Sequence, residues 1–136
     1  MSTIFSRIID GELPGRFVYR DELCVAFLTI APICPGHTLV VPRAEVDHWV
    51  DLSDEVVSRL MVVAKKIGLA QRQAFDAERI SLIIAGLEVP HTHLHVLPIT
   101  SEADIDFSRA DAHVDPAELD RVAAALRVAL GDDASE

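Results

Sequence analysis

Apolar runs alternate with polar breaks along the first hundred residues. The runs RFVYRDE and LCVAFLTI favour β structure, and the polar RDEL between them predicts a hairpin. TLVVPR is a further short strand, ended by Pro42. Residues 3–9 are predicted to form one short helical turn, followed by glycine and proline breakers. Five strands are therefore predicted, within residues 16–22, 23–30, 38–43, 80–86 and 92–99.

Two other segments carry apolar residues at helical spacing. Residues 54–75 have apolar positions separated by four and three, and Ser53 is a suitable N-cap. Asp115 and Pro116 begin a second helix, which Gly131 ends. The two stripes consist of Val56, Leu60, Val63, Ile67 and Ala70, and of Leu119, Val122, Leu126 and Leu130. Hairpins followed by helices, without regular alternation, favour an α+β fold with an antiparallel sheet.

Length and charge exclude several classes of protein. The 136 residues fit a single domain spanning 1–136. Residues 101–136 hold ten acids and three bases and so carry −7 of the net charge of −10, and no basic stripe points to a nucleic-acid partner. No segment has the length and hydrophobicity of a signal peptide or a membrane span, so we expect a cytoplasmic protein. Cys24 and Cys34 are expected to be small buried thiols in a reduced compartment.

Three of the six histidines occur at every second position, at His91, His93 and His95. Side chains two residues apart in a strand point to the same face, so we predict a row of imidazoles on one face. The opposite face, formed by Thr92, Leu94 and Val96, suits a core. Unpaired imidazoles in a half-buried row would be unfavourable, because each ring nitrogen then lacks a hydrogen-bond partner.

The row is compatible with three kinds of site. The histidines could be half-exposed surface residues, although the flanking positions look buried. They could bind zinc, which accepts imidazole ligands, although no Asp, Cys or Glu lies at a clear ligand spacing nearby. They could also act in nucleophilic catalysis, in which a neutral imidazole attacks phosphorus, a neighbour fixes which ring nitrogen carries the proton and another group protonates the leaving group. Spacing alone does not choose between metal binding and catalysis.

The segment HTHLHVLP resembles the His-x-His-x-His-x-x motif of the histidine triad (HIT) superfamily, where x is apolar. The segment from residue 3 to residue 43, with its Pro-Gly-His turn before a Leu-Val-Val-Pro strand, resembles the nucleotide-binding branch of that superfamily. The resemblance covers residues 3–99, and the acidic helix and tail over 100–136 lie outside it. It implies a five-stranded antiparallel sheet with a long central helix and a C-terminal helix, and a homodimer.

The resemblance also implies a reaction and the residues that perform it. Relatives bind a purine nucleoside phosphate and cleave at its α-phosphate, as phosphoramidases or dinucleoside polyphosphate hydrolases, through a nucleotidyl-histidine intermediate. His93 is then the expected nucleophile, His91 helps to orient it and His95 contacts the phosphate. His37 corresponds to a fourth histidine of the family. No metal and no cofactor are expected.

A nucleoside-binding slot is likewise implied by the resemblance, with several departures in this chain. Thr29 stands where many relatives have an Asp that holds the ribose, so the grip on the sugar is expected to differ. Leu87 and Glu88 replace a polar pair that helps to place the leaving group, while Gly86 would let the backbone approach the phosphate. The expected walls of the slot are Ile4, Phe5, Leu28, Ile30 and Leu39.

Some relatives carry a structural zinc held partly by a Cys-x-x-Cys pair, and Thr3 and Ser6 occupy those places here. Without these thiols we predict no zinc, and His48 and His113 are expected to lie at the surface. The sequence thus favours a nucleotide hydrolase or phosphoramidase of HIT type. Two alternatives remain open, a nucleotide-binding module without catalysis and a metal-binding protein that uses the histidine row.

Overall fold

The computed structural model describes residues 2–131 and contains one five-stranded antiparallel sheet in the order β1-β2-β3-β5-β4. Its strands are β1 (Phe17–Arg20), β2 (Cys24–Leu28), β3 (Thr38–Pro42), β4 (Arg79–Ile83) and β5 (Leu94–Ile99). The α-helices are α1 (Ile4–Ile9), α2 (Asp54–Ala74) and α3 (Pro116–Leu130). Short 3₁₀ turns cover Trp49–Asp51, Glu102–Asp104 and Phe107–Arg109. The predicted α+β class, the five strands and both long helices are confirmed.

The helices begin where the sequence predicts them to. Ser53 accepts a hydrogen bond from the backbone N–H of Val56, which satisfies one of the free donors at the start of α2. Asp115 does the same for α3, and Pro116 occupies the first turn. Gly131 ends α3 with a φ of 57°, a backbone conformation that favours glycine.

The two faces of the sheet are covered by different elements. Alternate strand residues such as Ala26, Val40 and Leu94 pack with α2 and α3 in the larger core. The residues between them face the short helix α1 and form a smaller apolar cluster with its Phe5. That cluster consists of Phe5, Val25, Phe27, Leu39 and Val41. Since His95 pairs directly with Leu39 across β3 and β5, it lies on the α1 face of the sheet.

The last strand begins later than predicted, and this changes where the histidines lie. β5 starts at Leu94, so His91 and His93 precede the strand and only His95 belongs to it. The backbone N–H of Thr92 donates to the carbonyl of Val46, so this part of the chain pairs with a loop and not with β3. The alternation nevertheless persists, because the rings of His91 and His93 both contact Phe5.

A buried amide ties the helix layer to the turn before β3. Gln71 on α2 has no exposed surface, and its Nε2 donates to the carbonyls of Gly36 and Val96 at 2.8 Å each. Buried hydrogen bonds of this kind are costly to break, because the N–H donors of the amide would be left without a partner and without access to water. The Pro-Gly-His turn is therefore anchored to α2 and β5.

Candidate active site

His93 has one ring nitrogen fixed by the backbone and one left over. Its Nδ1 lies 2.7 Å from the carbonyl oxygen of His91, which can only accept a hydrogen bond. Nδ1 must therefore carry the proton, and in the neutral ring Nε2 then holds a free lone pair. The side chain is 5% exposed and lines a cavity. This imidazole can attack an electrophile through Nε2 without first losing a proton.

His91 is completely buried and its ring is fully hydrogen-bonded. Its Nε2 lies 2.8 Å from the carbonyl of Pro42 and therefore donates, so that Nδ1 accepts from the hydroxyl of Thr3 at 2.7 Å. Burial lowers the pKa of His91, while the Pro42 carbonyl and the Glu45 carboxylate oppose this shift. The main-chain carbonyl of His91 accepts the hydrogen bond from His93, and the His91 ring attaches this part of the chain to Thr3 at the start of α1.

His37 and His95 form a directional relay. The backbone N–H of Ile33 donates to Nδ1 of His37, so the ring proton of His37 lies on Nε2. That Nε2 lies 2.9 Å from Nδ1 of His95 and donates to it. Because Nδ1 of His95 accepts this hydrogen bond, the single N–H proton of the neutral His95 ring is on its Nε2. The His95 ring lies 4.9 Å from the His93 ring, centre to centre, so it brings an N–H donor beside His93.

Both rings of the relay are neutral at physiological pH. Burial lowers the pKa of His37 from 6.5 to about 4. Burial also lowers the pKa of His95 to about 3, and repulsion from His37 and His93 adds to this effect. The pair thus acts as a hydrogen-bond donor to an anion and not as a cation.

An apolar cleft of about 280 Å³ lies on one side of the histidines. The ring of Phe5 forms one wall of it and lies 4.8 Å from the ring of His93. All the residues expected for the nucleoside slot line this cleft, namely Ile4, Phe5, Leu28, Thr29, Ile30 and Leu39. Ile30 is 71% exposed and stands at its rim, while Leu28 and Leu39 are buried at its base. Thr29 uses its hydroxyl oxygen to accept from the N–H of Ala31, which leaves its proton free to donate.

A second cavity, of about 180 Å³, lies beside His93 and His95. It includes Gly86, which was expected to let the backbone approach the phosphate, and Glu88, which was expected near the leaving group. Gly86 has a φ of 74° with open space where a Cβ would lie, so its backbone is accessible. The cavity also includes Phe107, whose ring lies 4.8 Å from that of His95. Phe107 was not among the predicted site residues, although it is the one Phe, Tyr or Trp of the polar stretch 100–114.

Comparison with known families identifies the arrangement. The HIT domain model matches residues 10–102, which is more than half of the chain. The chain belongs to the HIT family. An uncharacterized HIT-like protein from Saccharolobus solfataricus is 38% identical over 73% of this chain and 75% of its own length. The purine nucleoside phosphoramidase of Escherichia coli is 37% identical over 70% of this chain and 85% of its own length.

Solved HIT structures share the fold along nearly the whole chain. A Hit-like protein involved in cell-cycle regulation from Bartonella henselae superimposes with a TM-score of 0.84 at 28% identity, covering 94% of this chain and 96% of its own. A zinc-bound histidine triad family protein from Mycobacterium smegmatis gives a TM-score of 0.82 at 30% identity, covering 96% and 94%. Both alignments extend past residue 99, so the fold likeness includes the C-terminal part.

Thr3 and Ser6, the positions at which some HIT proteins have zinc-binding cysteines, form a hydrogen-bonded cluster in this chain. The N–H of Thr3 and the hydroxyl of Ser6 both donate to the same carboxylate oxygen of Glu45, at 2.8 and 2.7 Å. The Thr3 hydroxyl joins this cluster to His91. Within residues 2–131, no group of three or more His, Cys, Asp or Glu has the arrangement of a metal site.

The remaining candidate side chains of this HIT domain lie away from the cavity beside His93. Cys24 is buried and Cys34 half-buried, and burial raises the pKa of their thiols to about 12 and about 11. Both are therefore protonated and unreactive, as expected for structural cysteines. His48 and His113 are exposed. Within the part of the chain that the structure describes, no helix combines the length and hydrophobicity needed to span a bilayer.

Proposed function

We propose that this HIT protein hydrolyses a purine nucleoside phosphoramidate or a nucleoside polyphosphate at the α-phosphate, through a nucleotidyl intermediate on His93. The observation that carries the proposal is the hydrogen bond from Nδ1 of His93 to the carbonyl of His91, which leaves Nε2 as a free lone pair in a cavity. The kinship with the purine nucleoside phosphoramidase of Escherichia coli supports the same substrate class.

Two displacements at phosphorus make up the proposed reaction. In the first, Nε2 of His93 forms a bond to the α-phosphorus while the bond from phosphorus to the leaving group breaks, and the leaving atom takes up one proton. In the second, water attacks the same phosphorus and the P–N bond to His93 breaks, so that the ring is regenerated. The net reaction adds one water, whose oxygen ends on the nucleoside monophosphate. The covalent route divides one difficult substitution into two easier ones.

The groups around His93 stabilise the charge on the phosphate and hold the purine base in place. The N–H on Nε2 of His95 donates to a phosphate oxygen, and its alignment depends on the hydrogen bond from His37. A neutral donor is suited to this role, because it stabilises the added negative charge without forming a tight ion pair with the ground state. The apolar cleft with Phe5, Leu28 and Leu39 accepts the flat purine base.

The activity is tested by incubating the protein with adenosine 5′-phosphoramidate and following adenosine monophosphate by chromatography. We expect release of the monophosphate. In a second experiment, a brief reaction with phosphorus-labelled substrate is stopped with alkali. Label should then remain on the protein, because the P–N bond to imidazole is stable in alkali. The site would be a binding module without catalysis if nucleoside monophosphate binds in calorimetry while phosphoramidates and dinucleoside polyphosphates both remain intact.

Thr29 predicts weak discrimination between ribose and deoxyribose. A single neutral hydroxyl contributes about 1 kcal/mol through a hydrogen bond, whereas a carboxylate contributes roughly twice as much. We expect Thr29→Asp to raise the preference in kcat/KM for the ribonucleoside substrate over its 2′-deoxy analogue by about fivefold, while the similarly shaped Thr29→Val abolishes the preference. Equal preferences in the three proteins would place the sugar away from Thr29.

We further propose that two copies pair through the face formed by β4 and α2. β4 is an edge strand, its Leu82 is 39% exposed, and the neighbouring Met61 and Leu69 on α2 are 56% and 49% exposed. Exposed apolar residues at a free sheet edge favour pairing with another chain. Sedimentation equilibrium is expected to give twice the 14.9 kDa chain mass, and Leu69→Glu the chain mass itself. Val128→Glu, at an 81% exposed position on α3, is the matched control and should leave the dimer intact.

A further inference from the structure

The cavity beside His93 and His95 has a composition that suits one kind of leaving group. We propose that Glu88 and Phe107 select an alkyl or aryl amine as the leaving group and disfavour a phosphate chain. This inference depends on the proposed function, because it assigns the second of the two cavities around His93 to the group that departs from phosphorus. This cavity would distinguish phosphoramidates from nucleoside polyphosphates, whereas His93 and His95 act on the same α-phosphate in both substrates.

Different residues line the two cavities around the reacting ring. Phe5 contacts His93 and belongs to the apolar cleft, whereas Phe107 contacts His95 and belongs to the smaller cavity. A nucleoside in the cleft brings its α-phosphate to His93. The other substituent on phosphorus then extends into the cavity that Glu88 and Phe107 line.

The charge of this cavity is negative. Glu88 is exposed, and among residues 2–131 the structure gives its carboxylate neither an ion pair nor a hydrogen bond. No Lys or Arg is found among the described residues that line the cavity, and His95 contributes a neutral N–H. A departing phosphate chain would therefore place its negative charge beside a carboxylate, without a Lys or Arg in the lining to offset it, which is unfavourable. The nitrogen of a departing amine takes up one proton before the P–N bond breaks, so it carries positive charge while it is still bonded to phosphorus and then leaves as the neutral amine. The same carboxylate stabilises that positive charge.

Phe107 gives the cavity an apolar wall. Its ring meets His95 edge to face and remains 43% exposed, so one surface is free for a ligand. The turn that carries it is held by Asp104, which accepts from the N–H groups of Thr100 and Ser101 and pairs with Arg109 at 3.0 Å. The ring is thus positioned before any ligand arrives. It offers carbon surface to an alkyl or aryl amine and nothing comparable to a phosphate chain.

The test compares two substrates that share one adenosine 5′-phosphoryl group. One is the phosphoramidate of a butylamine and the other is diadenosine triphosphate, and the quantity is the ratio of their kcat/KM values. We expect wild type to favour the phosphoramidate and Glu88→Gln to reduce that ratio about tenfold, as the loss of one like charge at a solvent-exposed site predicts. Added salt should shrink the difference between the two proteins, because it screens the carboxylate.

Glu78→Gln is the matched control for this experiment. Glu78 is also exposed and removal of its charge changes the net charge by the same amount, but it lies next to Arg79 at the start of β4 and outside the cavity. We expect the wild-type ratio in this variant. An unchanged ratio in Glu88→Gln, or faster cleavage of diadenosine triphosphate than of the phosphoramidate by wild type, would overturn the selection. Failure of wild type to cleave either substrate would instead overturn the proposed function on which it depends.

The contribution of Phe107 to binding the leaving group is measured separately, with the unsubstituted phosphoramidate as the reference substrate. Phe107→Ala should raise KM for the butyl phosphoramidate several-fold while KM for the unsubstituted compound stays unchanged, because only the first has carbon to pack on the ring. Because Phe107 is 43% exposed, this substitution should leave the protein folded. Parallel changes for both substrates would remove Phe107 from the leaving-group site.

Discussion

Replacing His93 by alanine is expected to slow hydrolysis of adenosine 5′-phosphoramidate by about 10⁴-fold or more. The substitution removes the lone pair on Nε2 that the hydrogen bond to the His91 carbonyl leaves free. No other described group replaces it, since Nδ1 of His95 is occupied by His37 and both nitrogens of His91 are bonded. Water must then attack phosphorus directly, and the covalent route is lost.

The measurement must separate lost chemistry from lost binding. His93→Ala keeps the cleft formed by Phe5 and its neighbours, so the dissociation constant for adenosine monophosphate should stay within a few-fold of wild type. Labelled substrate should leave no phosphorus on the variant. His113→Ala, at an exposed histidine far along the chain, is the control and should retain full activity. Equal rates for wild type and His93→Ala would end the assignment of His93 as nucleophile.

Hydrophobic pattern and local chemistry were sufficient to predict most of the fold. The stripe that includes Leu60, Val63 and Ile67 forms the buried face of α2, and the caps at Ser53 and Asp115 lie where predicted. These features are local, because a stripe or a cap is encoded within a few neighbouring residues. The start of β5 at Leu94 was not predictable in this way, since the bond between Thr92 and Val46 depends on a distant loop.

The site shows a similar division between what is local and what is not. The common face of His91, His93 and His95 follows from their spacing, and the assignment of His37 came from resemblance to a family motif. The hydrogen bond between Thr3 and His91 joins residues 88 positions apart, and no periodicity encodes it. Phe107 reaches His95 only because the turn after β5 folds back over the sheet. In the sequence, Phe107 stands out only as the single Phe, Tyr or Trp of a polar stretch, and this does not reveal that it contacts His95.

The position of the proton on each histidine ring is set by the structure and does not follow from the residue type. Each histidine is amphoteric, and composition does not say which nitrogen is the base. The backbone carbonyl of His91 fixes His93 as a nucleophile, whereas the backbone N–H of Ile33 fixes His37 as a donor to His95. Two identical side chains thus gain opposite roles from one carbonyl and one amide. The main chain is therefore part of the proposed mechanism.

A second large effect is expected at His37. Replacing His37 by asparagine should lower kcat by about 10²-fold, close to the loss of one oriented donor to a transition state. An asparagine oxygen lies near the position of Nδ1 and can still accept from Ile33, but it leaves Nδ1 of His95 without its donor. The His95 proton can then move to Nδ1, and its Nε2 no longer donates to phosphate.

Glutamine at the same position separates this relay from a simple packing role. Its amide nitrogen lies near the position of Nε2, so His37→Gln should restore donation to His95 and recover much of kcat. Both variants should leave KM within a few-fold of wild type, because His37 acts through His95 as a positioning residue. Equal losses in the asparagine and glutamine variants would show that His37 only fills space in the turn.

The pH dependence of folding gives an independent readout of the same residue. His37 has a pKa of about 4 in the folded protein against 6.5 ordinarily, so between these values the unfolded chain binds the extra proton. The contribution of His37 to the unfolding free energy is complete above pH 6.5 and is lost as the pH falls to about 4. The slope is about 1.4 kcal/mol per pH unit for one proton. Urea unfolding at pH 7.5, 6 and 5 should therefore show a shallower decline for His37→Asn than for wild type, and equal slopes would contradict a buried, neutral His37.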